Sequence, residues 1–265
     1  MKSLMQIPLT MARAPRDCWV IGHRGAPISC PENTLLSFRA ARDAGARMIE
    51  CDVQQSVDGE LFVFHDHTLA RLCGESLVAA SLSWEVLAQK VVGHWHGQEI
   101  YIPPLSEVFT TFHRSVFYNI ELKIDESPCP GIEENLVALM TRHGLTERVV
   151  VSSFSHESLR LVRHHDPHLA LGLLLSREQA QRFAGPADIV TYAREFDCFS
   201  LHPDFRLLHQ WPELVTACHE ADFRVFPWTV DDPDDWQFLV EELHVDGIIT
   251  NDPGGLYEWL LARGR

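Results

Sequence analysis

Arg47-Met48-Ile49-Glu50-Cys51-Asp52-Val53 is the stretch on which the fold turns. It carries two acids two residues apart, and on a strand residues i and i+2 share a face while the residue between points the opposite way. Glu50 and Asp52 therefore face inward together, and Cys51 faces whatever covers the sheet. Phe117-Tyr118-Asn119-Ile120-Glu121-Leu122-Lys123 repeats the arrangement, with Glu121 and Lys123 on one face and Leu122 on the other. Carboxylates side by side repel unless a cation holds them, and an all-oxygen donor set suits a hard divalent ion, Mg2+ or Ca2+. His23-Arg24-Gly25 and His65-Asp66 also follow apolar, strand-like runs. A fold that gathers strand ends brings these histidines, carboxylates and cations into one metal-assisted phosphoryl site.

Outward from that stretch, short apolar runs alternate with amphipathic segments, the pattern of βα units. Strands are expected at Trp19 to His23, Met48 to Val53, Phe117 to Leu122, Val149 to Ser152, Ala170 to Leu175, Cys198 to His202, Arg224 to Trp228 and Gly247 to Thr250. Helices are expected at Thr34 to Ala44, Leu105 to His113, Ile132 to His143, His156 to His165, Arg177 to Phe183, Trp211 to Ala221, Pro233 to Glu242 and Gly255 to Ala262. Asn33 and Ser155 stand where helix caps belong, and Gly45 and Gly144 where helices stop. Eight such units predict an α/β fold, a (β/α)8 TIM barrel with its site at the carboxyl ends of the strands.

One interval breaks the spacing. Ser56-Val57-Asp58-Gly59-Glu60 followed by Leu61 to His65 reads as a hairpin, and residues 67–104 as an insertion over the barrel mouth, between the second strand and the second helix.

A chain of 265 residues with 46% hydrophobic residues is long enough for one large core, so residues 18–265 are expected to form a single domain behind an N-terminal tail, 1–17. The formal net charge of −15 argues against a nucleic-acid or anionic-membrane binder, whose surfaces attract Lys/Arg patches. The seven cysteines, Cys18, Cys30, Cys51, Cys73, Cys129, Cys198 and Cys218, are odd in number and never paired as C-x-x-C, which predicts reduced thiols and a cytoplasmic location. No secretory signal or membrane-length apolar run is seen.

The motifs together resemble the glycerophosphodiester phosphodiesterase family. The resemblance rests on His23-Arg24-Gly25, Pro31-Glu32-Asn33-Thr34, Glu50-Cys51-Asp52-Val53, Asp58-Gly59, Phe64-His65-Asp66, Pro104-Leu105 with Glu107, Glu121-Leu122-Lys123, Ser152-Ser153-Phe154, Trp228-Thr229-Val230 and Asp246-Gly247-Ile248-Ile249-Thr250, in family order from residue 19 onward. It implies a barrel enzyme that hydrolyses glycerophosphodiesters to glycerol 3-phosphate and an alcohol. It further implies that Glu50, Asp52 and Glu121 bind one divalent cation, that His23 and His65 are general acid and base, and that Arg24 and Lys123 lie near the phosphate. His23 is taken as the base, drawing a proton from the glycerol 2-hydroxyl so that a cyclic phosphate forms and water then opens it. Two other classes stay open: a phospholipase-like diesterase on intact lipids, and a barrel that binds glycerophosphodiesters without turnover.

Glu32 is expected to touch the ligand, although Pro31-Glu32-Asn33-Thr34 also reads as a helix start with Asn33 as cap. Trp228 is expected to line the glycerol pocket. His94-Trp95-His96 has a metal-ligand spacing but no third ligand nearby and reads as insertion surface, while His202 at a strand end is undecided. Asp231 departs from the Asn that often follows Trp-Thr-Val, and Asn251 precedes Asp252; both are expected to bear on alcohol preference more than on chemistry.

Overall fold

A computed structural model describes residues 18–124 and 130–264. The expected tail, 1–17, and Cys129 lie outside the described residues.

The first half of the chain runs through β1 (Trp19–Gly22), α1 (Leu35–Asp43), β2 (Met48–Gln55), β3 (Leu61–Val63), α2 (Ala70–Cys73), α3 (Trp84–Leu87), β4 (Val91–Trp95), β5 (Gln98–Tyr101), α4 (Leu105–Phe112) and β6 (Phe117–Leu122). The second half follows as α5 (Ile132–His143), β7 (Val149–Ser153), α6 (His156–His165), β8 (Ala170–Leu175), α7 (Arg177–Ala180), α8 (Pro186–Arg194), β9 (Ser200–Pro203), α9 (Phe205–Gln210), α10 (Glu213–Glu220), β10 (Arg224–Val225), α11 (Pro233–Gln237), β11 (Gly247–Thr250) and α12 (Pro253–Leu261).

Parallel pairing runs β10-β9-β8-β7-β6-β2-β1-β11. The two ends then meet through backbone hydrogen bonds: Asp246 N donates to Val225 O at 3.2 Å, Ile249 N to Pro227 O at 3.0 Å, and Val230 N to Ile249 O at 3.0 Å. The expected eight-stranded barrel is thus nearly closed. The seventh barrel strand is shorter than expected because Pro227 has no N–H to offer a ladder, but Phe226 and Trp228 still donate to Leu201 O and Pro203 O. Ile21, Met48, Phe117, Val150, Ala170, Phe199, Phe226 and Ile249, one from each strand segment, form the apolar plug inside the barrel. A larger apolar shell fills the space between strands and helices. Above the plug the inward positions turn polar, which is where chemistry can sit.

Local sequence accounts for most helix ends. Ser155 accepts from Ser158 N at the start of α6, Ser176 and Gln179 form a capping box on α7, and Gly144 closes α5 in the left-handed conformation. At α1 the expectation is corrected: Thr34, not Asn33, is the cap, accepting from Ser37 N, because Asn33 takes a left-handed φ of +57° and turns its side chain elsewhere. The expected helices also leave out α8 and α9. Gly185-Pro186 reads as a break in sequence, yet Pro at the first helical position costs nothing because its missing N–H has no partner there anyway.

The hairpin after β2 forms as expected, with Val53 opposite Val63 and Gln55 opposite Leu61. Residues 67–104 then build α2, α3 and the β4–β5 hairpin over their own apolar cluster of Phe62, Phe64, Leu69, Ala79, Leu87, Val92 and Ile102. Gly93 brings that hairpin so close to Pro31 that a Cβ would lie 2.7 Å from its Cγ. Among the described residues no helix is long and apolar enough to cross a membrane.

Gly25 and Gly59 share a φ of +89° but differ in their surroundings. A Cβ on Gly25 would fall 2.6 Å from the Ser37 backbone carbon, whereas on Gly59 it would meet only Asn135 Nδ2 at 3.9 Å. Gly59→Ala is expected to cost about 1 kcal/mol of strain, and Gly25→Ala at least about 2 kcal/mol more. Urea denaturation of both variants checks the difference; equal midpoints would refute it.

Candidate active site

Two neighbouring strands supply the acids. β2 and β6 are parallel partners in a register that sets Glu50 beside Asn119 and Asp52 beside Glu121. Glu50 and Asp52 are 2% and 1% exposed, so their charges are almost wholly desolvated. One carboxylate oxygen from each of Glu50, Asp52 and Glu121 lies within 4.8 Å of the other two, the one such group of three or more acidic, thiol or imidazole ligands among the described residues. The expected convergence of these three residues is therefore present in space, whereas His94 and His96, both exposed on the β4–β5 hairpin, belong to no such group.

Glu50 and Asp52 are each half satisfied. Glu50 Oε2 accepts the Arg24 backbone N–H at 2.7 Å, but its Oε1 is buried with no hydrogen-bond partner. Asp52 Oδ2 accepts Asn33 Nδ2 at 2.8 Å and lies 3.3 Å from Arg24 Nε, while its buried Oδ1 is likewise unpartnered by hydrogen bonds. Lys123 Nζ donates to Glu121 at 2.9 Å and stands 3.9 Å from Asp52 Oδ1. Burial, then Asp52 and Glu121, push the Glu50 carboxyl well above the usual carboxylate range; burial does the same, less strongly, to Glu121. Burial opposes the charge on Asp52 too, but Arg24 and Lys123 outweigh it and hold this carboxyl below its ordinary value. Buried, unpartnered oxygens on Glu50 and Asp52, with the Glu121 carboxylate beside them, are an oxygen-donor cradle that can hold a hard divalent cation.

The turn after β1 places Arg24. A Cβ on Gly22 would lie 2.5 Å from Gly25 O, and Arg24 itself sits at a φ of +53°. This tight reversal aims the Arg24 N–H at Glu50 and its guanidinium between Asp52 and Glu32, whose Oε1 accepts Nη1 at 2.9 Å.

The two histidines have different partners. His23 Nδ1 lies 2.8 Å from Asn251 Oδ1. Burial and the adjacent Arg24 charge hold its ring below the ordinary imidazole range. His65 Nδ1 lies 2.7 Å from Asp66 Oδ1, and Gln54 Nε2 pins this loop by donating to Phe64 O and Asp66 O. Arg71, from α2 of the insertion, donates to Asp66 Oδ2 at 2.6 Å through Nε and to Glu32 Oε1 at 2.6 Å through Nη2. His65, Asp66, Arg71, Glu32 and Arg24 thus form one chain of charged contacts across the mouth.

Glu32 is held by both Arg24 and Arg71, which pull its carboxyl below the ordinary value against the effect of burial. Trp228 is partly buried, donates Nε1 to His202 O at 2.8 Å and meets Phe154 edge-on at 5.4 Å. His202 is wholly inside the barrel, 2.7 Å from Ser200 Oγ, and burial pushes its ring down to about 3. Asn33, expected only as a helix cap, and Arg71 are contributors to the site that the sequence analysis did not assign to it. An Asn in a tight pre-helical turn favours positive φ and is a signal for the first; no local signal marks the second, since Arg71 and Glu32 are 39 residues apart. Of the two residues expected to bear on alcohol preference, Asn251 lies against His23 Nδ1 and Asp231 accepts from Asn251.

Comparison with known proteins is consistent over nearly the whole chain. The model of the Glycerophosphoryl diester phosphodiesterase family matches residues 23–255. A glycerophosphodiester phosphodiesterase of Caldanaerobacter subterraneus subsp. tengcongensis is 37% identical over 238 residues, 88% of this chain and 94% of that one. One from Bacillus subtilis is 31% identical over 279 residues, 95% of this chain and 91% of that one. Among solved structures, an Oleispira antarctica phosphodiesterase in complex with the product sn-glycerol-3-phosphate superposes with a TM-score of 0.73 at 25% identity, covering 91% of this chain and 96% of that one. A Thermotoga maritima glycerophosphodiester phosphodiesterase shares the fold at a TM-score of 0.73 and 24% identity, covering 94% of this chain and all of that one, 100%.

The raised Glu50 carboxyl carries a consequence for stability. A carboxyl whose folded value is raised favours the protonated folded state, so its contribution is present at low pH and lost as pH rises through the folded value. Glu50→Gln is therefore expected to raise the melting temperature of chelator-treated protein at pH 8 and to abolish the extra stabilisation given by millimolar Mg2+ or Ca2+. Calorimetry at pH 6 and 8, with and without cation, reads both effects. A Glu50→Gln variant that melts lower than the parent without cation would contradict the first.

Proposed function

The chain belongs to the Glycerophosphoryl diester phosphodiesterase family, and from that premise we propose that it hydrolyses water-soluble glycerophosphodiesters to sn-glycerol 3-phosphate and an alcohol. The observation that carries this reading is the pair of imidazoles, His23 and His65, with separate anchoring partners at a mouth that also holds three converging carboxylates and two cations.

Glu50, Asp52 and Glu121 would hold one divalent cation, Mg2+ or Ca2+. When bound, it neutralises the carboxylates and supplies positive charge to the phosphoryl oxygens. Arg24 and Lys123 add two fixed positive charges, the first as a planar fork and the second as a point charge, where negative charge builds up in the transition state. Trp228 and Glu32 complete the proposed contacts, the former against the glycerol backbone and the latter by steadying Arg24.

His23 suits the base. Its Nδ1 partner is a neutral amide, and burial and Arg24 favour the uncharged ring, so it is ready to accept a proton near neutrality. His65 suits the acid, because the Asp66 carboxylate compensates the charge of an imidazolium. His23 takes the proton of the glycerol 2-hydroxyl, whose oxygen bonds to phosphorus. The phosphorus–alcohol bond breaks as His65 protonates the departing oxygen. The same pair in reversed roles then adds water to the cyclic phosphate, leaving glycerol 3-phosphate.

Intact membrane lipids fit less well. Arg71 and Lys90, the two Lys/Arg residues of 67–104, are each engaged by acids, Arg71 by Glu32 and Asp66 and Lys90 by Glu75. Neither is free to meet an anionic headgroup surface. Residues 18–265 are read as one catalytic domain, and the six described cysteines, all free, accord with a cytoplasmic enzyme.

Incubation with glycerophosphocholine and added Mg2+ or Ca2+ is expected to release glycerol 3-phosphate, with chelator abolishing turnover. His23→Ala and His65→Ala are each expected to lower kcat by about 10²- to 10⁴-fold. A base must be deprotonated to act, so the acid limb of the kcat/KM profile is expected below pH ~6.5. A diester of 2-deoxyglycerol cleaved as fast as the natural one would eliminate the cyclic route, and full activity in His23→Ala would eliminate the base.

A further inference from the structure

We propose that Asp231 is a positioning residue that decides which nitrogen of His23 carries the proton, acting through the side chain of Asn251. The inference rests on His23 being the base and names what prepares it.

Three donors converge on Asp231. Its Oδ1 accepts Thr250 Oγ1 at 2.9 Å and the Asn251 backbone N–H at 2.7 Å, and its Oδ2 accepts Asn251 Nδ2 at 2.7 Å. Thr250 Oγ1 already accepts the Asp252 N–H at 3.0 Å, which leaves its own proton for Asp231. A carboxylate only accepts, so the amide nitrogen of Asn251 must face Asp231. The opposite orientation would set two acceptor oxygens 2.7 Å apart. With its nitrogen committed, Asn251 can present only its oxygen to His23 Nδ1, 2.8 Å away. That oxygen requires a donor, so the neutral ring carries its proton on Nδ1. Nε2, which makes no hydrogen bond to the described residues, keeps its lone pair for the substrate hydroxyl.

The logic is a sequence of donors and acceptors, and reversing one link should reverse the next. In Asp231→Asn the new side chain keeps an oxygen for Thr250 and the Asn251 backbone, but its NH2 stands opposite the NH2 of Asn251. Rotation of the Asn251 amide relieves that clash and turns its nitrogen toward His23, which must then accept at Nδ1 and hold its proton on Nε2. A base blocked at Nε2 lowers kcat and leaves substrate binding nearly untouched. The double variant Asp231→Asn/Asn251→Asp restores the order, because the amide introduced at position 231 donates to the carboxylate introduced at position 251, and that carboxylate accepts from His23 Nδ1.

Nitrogen-15 NMR of histidine-labelled protein, with chelator and at a pH where the ring is neutral, reads the tautomer independently of turnover. Steady-state kinetics on glycerophosphocholine reads its consequence. Asp231→Asn is expected to convert His23 from Nδ1–H to Nε2–H and to lower kcat about 10²- to 10³-fold with KM within about threefold. The double variant is expected to restore the tautomer and bring kcat within about tenfold of the parent. Retention of Nδ1–H in Asp231→Asn, or a double variant as impaired as the single one, would overturn the proposal. If Asp231→Asn does not fold, Asp231→Ala carries the same test: with nothing to orient Asn251, a mixture of tautomers is expected, and a single Nδ1–H form overturns it. Full activity in His23→Ala would instead refute the base assignment, a separate outcome that leaves the tautomer result standing.

Discussion

Glu50, Asp52 and Glu121 share one mouth because β2 and β6 run parallel in a register that puts Asp52 beside Glu121, and their mutual repulsion is the constraint around which the site is organised. Removing charges of one sign from water and crowding them together is costly unless opposite charge compensates. The chain supplies part of that compensation, with Arg24 and Lys123 arriving from the first turns beyond β1 and β6. It leaves Glu50 Oε1 and Asp52 Oδ1 without hydrogen-bond partners. A cluster so arranged gains from any added positive charge, which is the physical sense in which it could hold a cation.

The remaining parts of the mouth answer to the same cluster. The reversed turn at Gly22–Gly25 lets the Arg24 backbone reach Glu50. Asn33 gives up the cap of α1, a role Thr34 takes over, and ties Asp52 down instead. The insertion, which looks like a covering element, reaches inward through Arg71 and joins the His65 loop to the Arg24 turn by way of Asp66 and Glu32. The two imidazoles are held by unlike partners, an amide for His23 and a carboxylate for His65, and the proposed division into base and acid rests on this asymmetry.

Much of this was legible in the sequence. The period of two in Glu50-Cys51-Asp52 sets a shared face wherever a strand forms, and apolar runs with capped helices between them announce the barrel. The reading slipped where backbone chemistry has two outcomes: Pro227 shortens a strand, and Pro186 opens a helix that was not expected. Asn33 misled because an Asn before a helix is equally at home as a cap or in a left-handed turn, and only the presence of Asp52 nearby decides.

The sequence by itself determined the eightfold alternation, the shared inward face of Glu50 with Asp52 and of Glu121 with Lys123, and the kinds of group available for phosphodiester chemistry, since these follow from periodicity and side-chain type along one segment at a time. The tertiary structure alone decided who meets whom. Asn251 lies 228 positions from His23 and Arg71 lies 39 from Glu32, and no local propensity encodes such pairings. They arise because barrel closure sets β11 against β1, and because the insertion folds on its own apolar cluster next to the mouth. Hydrogen bonds reach about 3 Å, so their partners are chosen by where packing puts them.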